Sequence, residues 1–208
     1  MAQSRKKHST VLKEFQKEIN RLEKFDSDNQ TNFRTGNLSR KQLHLLTESI
    51  FFAAFRAYQN FIRDTFLLYC VGKSTRGQKK SCSFLQPKNY RHAEYLLQSG
   101  MPFLDWASPD TVIQRAELYL KNNVPIKLIY TSHLEFLRSC KLLRNHIAHN
   151  SKESLEGYKK VLRSHYGTIP LTVPSPGEFL LVSEKRNISK YKLLAYLDGL
   201  NQMASDLI

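Results

Sequence analysis

The chain has 208 residues, and its 32 Lys and Arg outweigh 18 Asp and Glu, for a formal net charge of +14. With 41% hydrophobic and 24% charged residues, it has the composition of an ordinary folded protein, long enough for one domain with a sizeable core. The basic start MAQSRKKHSTVLKEF is not followed by an apolar signal core, and no stretch approaches the roughly 18 apolar residues of a membrane span. Cys70, Cys82 and Cys140 form neither a CxxC pair nor a zinc spacing, so a cytoplasmic, reducing location with no membrane contact is expected. The positive excess favours a polyanionic partner, nucleic acid ahead of a membrane surface.

Taken in chain order, residues 9–26 place Val11, Leu12, Phe15, Ile19 and Leu22 at helical steps and predict an amphipathic helix capped by Ser9 or Thr10. The polar DSDNQTNFRTGN that follows predicts a loop. From Ser39 to Cys70 there is no Gly or Pro, and apolar residues from Leu45 to Leu67 occupy nearly every face. This predicts a long central helix packed on several sides or shared with a second copy. Ser49, Arg56, Asn60 and Arg63 form one narrow polar line along it, either facing a cleft or an interface or simply reaching solvent. Residues 72–92 break the pattern with two Gly, one Pro, six basic residues and no acid, interleaved with Phe84 and Tyr90. Lys73, Arg76, Lys79, Lys80, Lys88 and Arg91 are therefore candidate RNA contacts, with the aromatics available to stack on bases.

Shorter helices are expected over 93–106 and 109–121, the second capped by Ser108 with Pro109 at its first position. Trp106 resembles a hydrophobic anchor just before it. A second long helix is expected from Ile126 to Asn150 on Leu128, Leu134, Leu137, Leu142 and Ile147. Ser151 can cap the next helix, KESLEGYKKVLRSHYG. GTIPLTVPSPGEFLLV reads as a Pro/Gly-rich crossing loop with a short extended piece at EFLLV, and a last amphipathic helix covers 189–208. The fold class is all-α, a helical bundle with two long central helices, shorter peripheral helices and a Pro/Gly-rich C-terminal loop.

The segment LLRNHIAHN, residues 142–150, gathers Arg144, Asn145, His146, His149 and Asn150 at the end of an otherwise apolar helix. Asn145 and His149 share a helix face, and His146 lies beside His149. Arg144 and His149 diverge by about 140° on an ideal helix. Such residues often do no more than cap a terminus. They are also the set that RNA cleavage by the ribose 2′-hydroxyl needs. Histidine moves protons near neutral pH, arginine holds phosphate oxygens, and asparagine orients either. That scheme needs no metal or cofactor.

RNHIAH resembles the R-N-x-x-x-H motif of the HEPN superfamily (higher eukaryotes and prokaryotes nucleotide-binding domains), here at a helix end in an all-α chain. The resemblance runs over 39–165, from ESIFFAAFRAYQNFIRD through WASPDTVIQRAELYL to the motif. It implies a single HEPN-like domain over 1–208, with the helices at 9–26 and 189–208 as elaborations. It also implies a metal-independent endoribonuclease, a homodimer whose motifs meet in a composite active site. Many relatives are toxins or antiviral effectors, so an antitoxin or defence-system protein is an expected partner. By position, His149 would be the catalytic base or acid, Arg144 the phosphate binder and Asn145 the orienting residue. Glu48 would be a loosely matched supporting acid. His146 is either a second proton handler or surface, with surface favoured. The alternative is a non-catalytic HEPN module that binds RNA, nucleotides or a protein partner.

Overall fold

The computed structural model describes residues 6–73, 83–99, 101, 103–121, 125–184 and 187–208. It is 74% helical. In chain order, the described residues form α1 (His8–Arg34), α2 (Arg40–Cys70), α3 (Tyr90–Gln98), α4 (Pro109–Tyr119), α5 (Ile126–Ser132), α6 (Leu134–His149), α7 (Lys152–Tyr166) and α8 (Pro176–Leu180). A small hairpin of β1 (Ser183–Glu184) and β2 (Asn187–Tyr191) then leads to α9 (Lys192–Asp206). The all-α class stands, and the two long helices that pack together are α1 and α2.

Several element boundaries differ from expectation. The last helix starts at Lys192 rather than 189, because residues 187–191 pair with β1 as a strand, and α1 begins at His8, which puts Ser9 and Thr10 inside the helix instead of at its cap. α1 continues through the polar stretch expected as a loop, because Asp26 and Asn29, three residues apart, turn inward at 1% and 5% exposure. Asp26 accepts a hydrogen bond from the Tyr191 hydroxyl. The expected helix of 126–150 is two helices broken at His133. The Ser132 hydroxyl donates to the Ile129 carbonyl at the break, competing with the helical ladder, and Leu128 is 68% exposed rather than apolar core. α3 starts earlier and is shorter than 93–106: Asn89 caps it by accepting from the His92 amide at 2.9 Å, and Ser99 ends it in the left-handed region. EFLLV is not extended, since Ser175 accepts from the Glu178 amide and Pro176 opens a short helix.

Other signals hold. Ser39 and Gln42 cap α2 reciprocally, each side chain accepting from the other's amide. Pro109 takes the first position of α4 as expected, but the Ser108 side chain before it makes no capping hydrogen bond. Trp106 is buried against Phe66, with the Arg115 guanidinium 4.9 Å from its ring centroid. Cys70 and Cys140 are free and buried; Cys82 lies outside the described residues. Among the described residues, no helix is long and apolar enough to cross a membrane.

Two compact units divide the chain. The first takes Met1–Gln16, Ala57–Leu137 and Gln202–Ile208. Its core joins Phe15 of α1 to Tyr58 and Phe61 of α2 by ring contacts at 5.9 and 5.2 Å. The Tyr69 hydroxyl donates to the Leu207 carbonyl inside it. The second takes Lys17–Arg56 and Arg138–Asn201. Ile50, Phe51, Leu143, Tyr158, Phe179 and Leu197, each 1% exposed or less, build its core. The candidate site lies wholly in this second unit.

Candidate functional site

Leu137, Cys140, Leu143 and His146 follow one another at three-residue steps on α6, and all four are buried. This is the helix's inner stripe. Arg144 and Asn145 fall beside it, half-buried, while Ala148, His149 and Asn150 are exposed. Asn150 takes a left-handed backbone (φ 43°), and its amide donates to the His146 carbonyl at 2.9 Å. Asparagine tolerates that conformation better than most residues, so it stops α6 there. Ser151 begins α7 at once: its hydroxyl accepts from the Ser154 amide, and the Ser154 hydroxyl accepts from the Ser151 amide. The motif therefore occupies the last turn of a helix and the tight corner after it.

Arg144 is held in place. Its guanidinium donates to Asn145 Oδ1 at 3.1 Å and lies 5.2 Å from the centroid of Phe52 on α2. A planar cation on an aromatic face keeps its outer N–H groups free for an anion. Asn145 thus orients the arginine directly. His149 is exposed on the same helix end, one turn beyond Asn145.

His146 does not lie on the surface. It is 8% exposed, its ring stacked on Tyr158 at 5.0 Å and 19°, and its Nδ1 is 3.1 Å from the Ser154 hydroxyl. Burial lowers its pKa below that of an ordinary histidine. The reason is positional, since it completes the inner stripe that runs from Leu137 through Cys140 and Leu143; the three-residue step was readable in the sequence.

Glu48 of α2 is half-buried, and its Oε1 accepts from the Gly177 amide at the start of α8 at 2.8 Å. Burial raises its carboxyl above the usual range, offset in part by that hydrogen bond and by nearby His44. Glu48 and His146 line one half-open cavity of about 630 Å³, together with Asn150, Lys152 and the loop before α8. The Tyr158 hydroxyl, 3.2 Å from the carbonyls of Pro174 and Ser175, ties that loop down. The part that this loop and the start of α8 play in the site was not legible in advance, because their contacts lie 16 to 17 residues from Tyr158 and 129 from Glu48.

Of the residues expected to touch RNA, Lys73, Lys88 and Arg91 are exposed, whereas Arg76, Lys79 and Lys80 lie outside the described residues. Arg91 sits over the ring of the exposed Tyr95. Phe84 is 58% exposed with the Lys121 ammonium over it, but Tyr90 spends its hydroxyl on Asp64 at 2.7 Å. Along α2, Ser49, Arg56 and Asn60 are exposed and Arg63 pairs with Asp64, so the polar line marks the helix's solvent edge. Among the described residues, no group of three or more His, Cys, Asp or Glu side chains is placed to hold a metal ion. Comparison with protein-family models, curated proteins and solved structures finds no match to this chain.

Proposed function

We propose that the chain is a metal-independent endoribonuclease of HEPN type, active as a homodimer and serving as a toxin or antiviral defence effector. The observation that carries this reading is the α6 terminus. There Arg144 is braced by Asn145 and Phe52 with its fork open to an anion, and His149 stands exposed one turn beyond Asn145. The +14 net charge supports a polyanionic substrate.

In this scheme the ribose 2′-oxygen attacks phosphorus and the P–O5′ bond breaks, leaving a 2′,3′-cyclic phosphate and a free 5′-hydroxyl. His149 takes the 2′-hydroxyl proton, and the same histidine of a second copy protonates the leaving 5′-oxygen. Arg144 stabilises the charge that grows on the phosphoryl oxygens. Two copies resolve a geometric problem, since Arg144 and His149 of one helix point in different directions.

Incubation with RNA in excess chelator tests the proposal. Wild type should cut and yield cyclic-phosphate ends. His149→Ala and Arg144→Ala should each lose about 10²- to 10⁴-fold in rate, the usual range for a general acid–base or an electrostatic group. Equal cleavage by all three proteins would sink it. RNA binding that survives His149→Ala, with no product from wild type, would mark a binding module instead.

A further inference from the structure

Two exposed aromatic rings of the first unit each carry a cation on their face. Phe84 and Tyr95 are both 58% exposed. The Lys121 ammonium lies 5.5 Å from the Phe84 ring centroid. The Arg91 guanidinium lies 5.5 Å from that of Tyr95 and donates to the Tyr95 hydroxyl at 3.1 Å. Neither cation has an acidic partner among the described residues. Other such pairs are built differently. Trp106 under Arg115 and Phe179 under Lys192 are buried, Arg115 also donates to the Asp105 carbonyl, and Lys192 also pairs with Glu184. Both exposed rings stand on fixed backbone. The Phe84 amide donates to the Tyr119 carbonyl at 3.0 Å, and Ser83, bridged to Leu120, donates its hydroxyl to the same carbonyl at 3.0 Å. Leu120 is buried, so Phe84 and Lys121 are held side by side just after α4. On α3, Ala93 and Leu97 are the buried positions. Tyr95, two residues from each, shares the outer face with Arg91 one turn before it.

We propose that Phe84 with Lys121, and Tyr95 with Arg91, are stacking platforms that make this face a docking surface for single-stranded RNA. A base laid on an exposed ring is held by its π-face, which every base has, so the contact is tolerant of sequence. The cation beside the ring meets the phosphate of the same or the next nucleotide. The guanidinium of Arg91 is planar and can itself lie against a base. A duplex offers these platforms nothing but phosphate, because its bases are stacked on one another and show only their edges. The surface therefore selects unpaired strands, a property that charge alone does not supply. It takes RNA as the ligand from the reading above and requires no cleavage. An acidic protein partner would neutralise the two cations equally well but has no need of the open rings.

Fluorescence anisotropy of the full chain with a labelled 2′-O-methyl RNA strand tests the platforms, since that strand has no 2′-hydroxyl to attack and stays intact. Phe84→Leu and Tyr95→Leu keep apolar bulk but remove the ring, and a thermal melt confirms the fold. Each should weaken binding of the strand at least about fivefold, the smaller end of what one stacked base contributes, and leave the salt slope unchanged. Tyr95→Phe keeps the ring and should bind like wild type. Lys121→Gln should instead flatten the slope of log K against log salt by about 0.7. A duplex of the same length should bind more weakly than the strand and be indifferent to both leucine variants. Strand affinity unchanged in both leucine variants, or a duplex weakened by them as much as the strand, would overturn the platforms. So would leucine variants that lose binding to phosphatidylserine vesicles while keeping their affinity for RNA, which would make the face a membrane contact. The chelator assay judges cleavage separately: a chain that binds as expected and cuts nothing keeps the platforms and loses the nuclease.

Discussion

His8 sits at the start of α1 with 3% exposure, its ring 4.6 Å from Tyr69. Neither ring nitrogen makes a full hydrogen bond. Burial lowers its pKa from 6.5 to about 4, and a loose backbone contact at Lys73 offsets this only in part. The unfolded chain therefore takes up the proton first as pH falls. The stability that follows from a neutral His8 is complete above pH 6.5 and is lost progressively as pH falls from there toward 4, by up to ~3 kcal/mol. Melting curves between pH 4 and 7 should show a steep acid decline in wild type. His8→Phe, which keeps an aromatic ring against Tyr69, should flatten that decline; an unchanged slope would mean that other groups govern acid sensitivity.

At the scale of elements, two glycines of the second unit, Gly177 in α8 and Gly157 in α7, behave differently. A Cβ added at Gly177 would meet the His44 carbonyl oxygen at 2.4 Å and its Cα at 2.7 Å. Backbone cannot yield as a side-chain tip does, so α8 would have to lift off α2. The Gly177–Glu48 hydrogen bond would go with it. Gly177→Ala should cost about 1–3 kcal/mol, the range for overpacking a fitted contact, seen as a lower midpoint in urea. At Gly157 of α7 the added carbon meets only Leu142 Cδ2 at 2.9 Å. That tip can turn aside, and alanine gains up to about 1 kcal/mol of helix propensity. Gly157→Ala should therefore stay within about 1 kcal/mol of wild type. A reversed order of the two midpoints would refute this account of α8.

The same contrast between local and distant causes explains what could be read in advance. Caps written in consecutive residues, Ser39 with Gln42 and Ser151 before α7, were legible because their partners lie within one turn. The end of α6 was legible for that reason, and so was the pairing of neighbours Arg144 and Asn145. Asp26 read as loop because its partner, Tyr191, lies 165 residues away. Glu48 could be placed near the motif only loosely, since the Gly177 contact that fixes it depends on how the loop before α8 folds back. Polar residues with distant partners look exposed in a sequence, and burial is what distinguishes them.

For the molecule as a whole, a net charge of +14 sets two separable terms in any encounter with RNA. Phosphate contacts release counterions and bind all sequences alike, whereas base contacts choose among them. Lys88 and Arg91 are exposed and well removed in sequence from the α6 terminus, so they belong to the first term under the RNA-binding proposal. Each contact with a single strand contributes about −0.7 to the slope of log K against log salt. The double variant Lys88→Gln/Arg91→Gln should therefore flatten that slope by about 1.4, weakening binding to every RNA in proportion. His149→Ala should leave the slope unchanged apart from its own smaller contact. Fluorescence anisotropy on a short unstructured RNA, from low to moderate salt, measures both. A slope identical in wild type and the double variant would show that the basic segment does not lie on the strand, and that the positive charge there serves solubility alone.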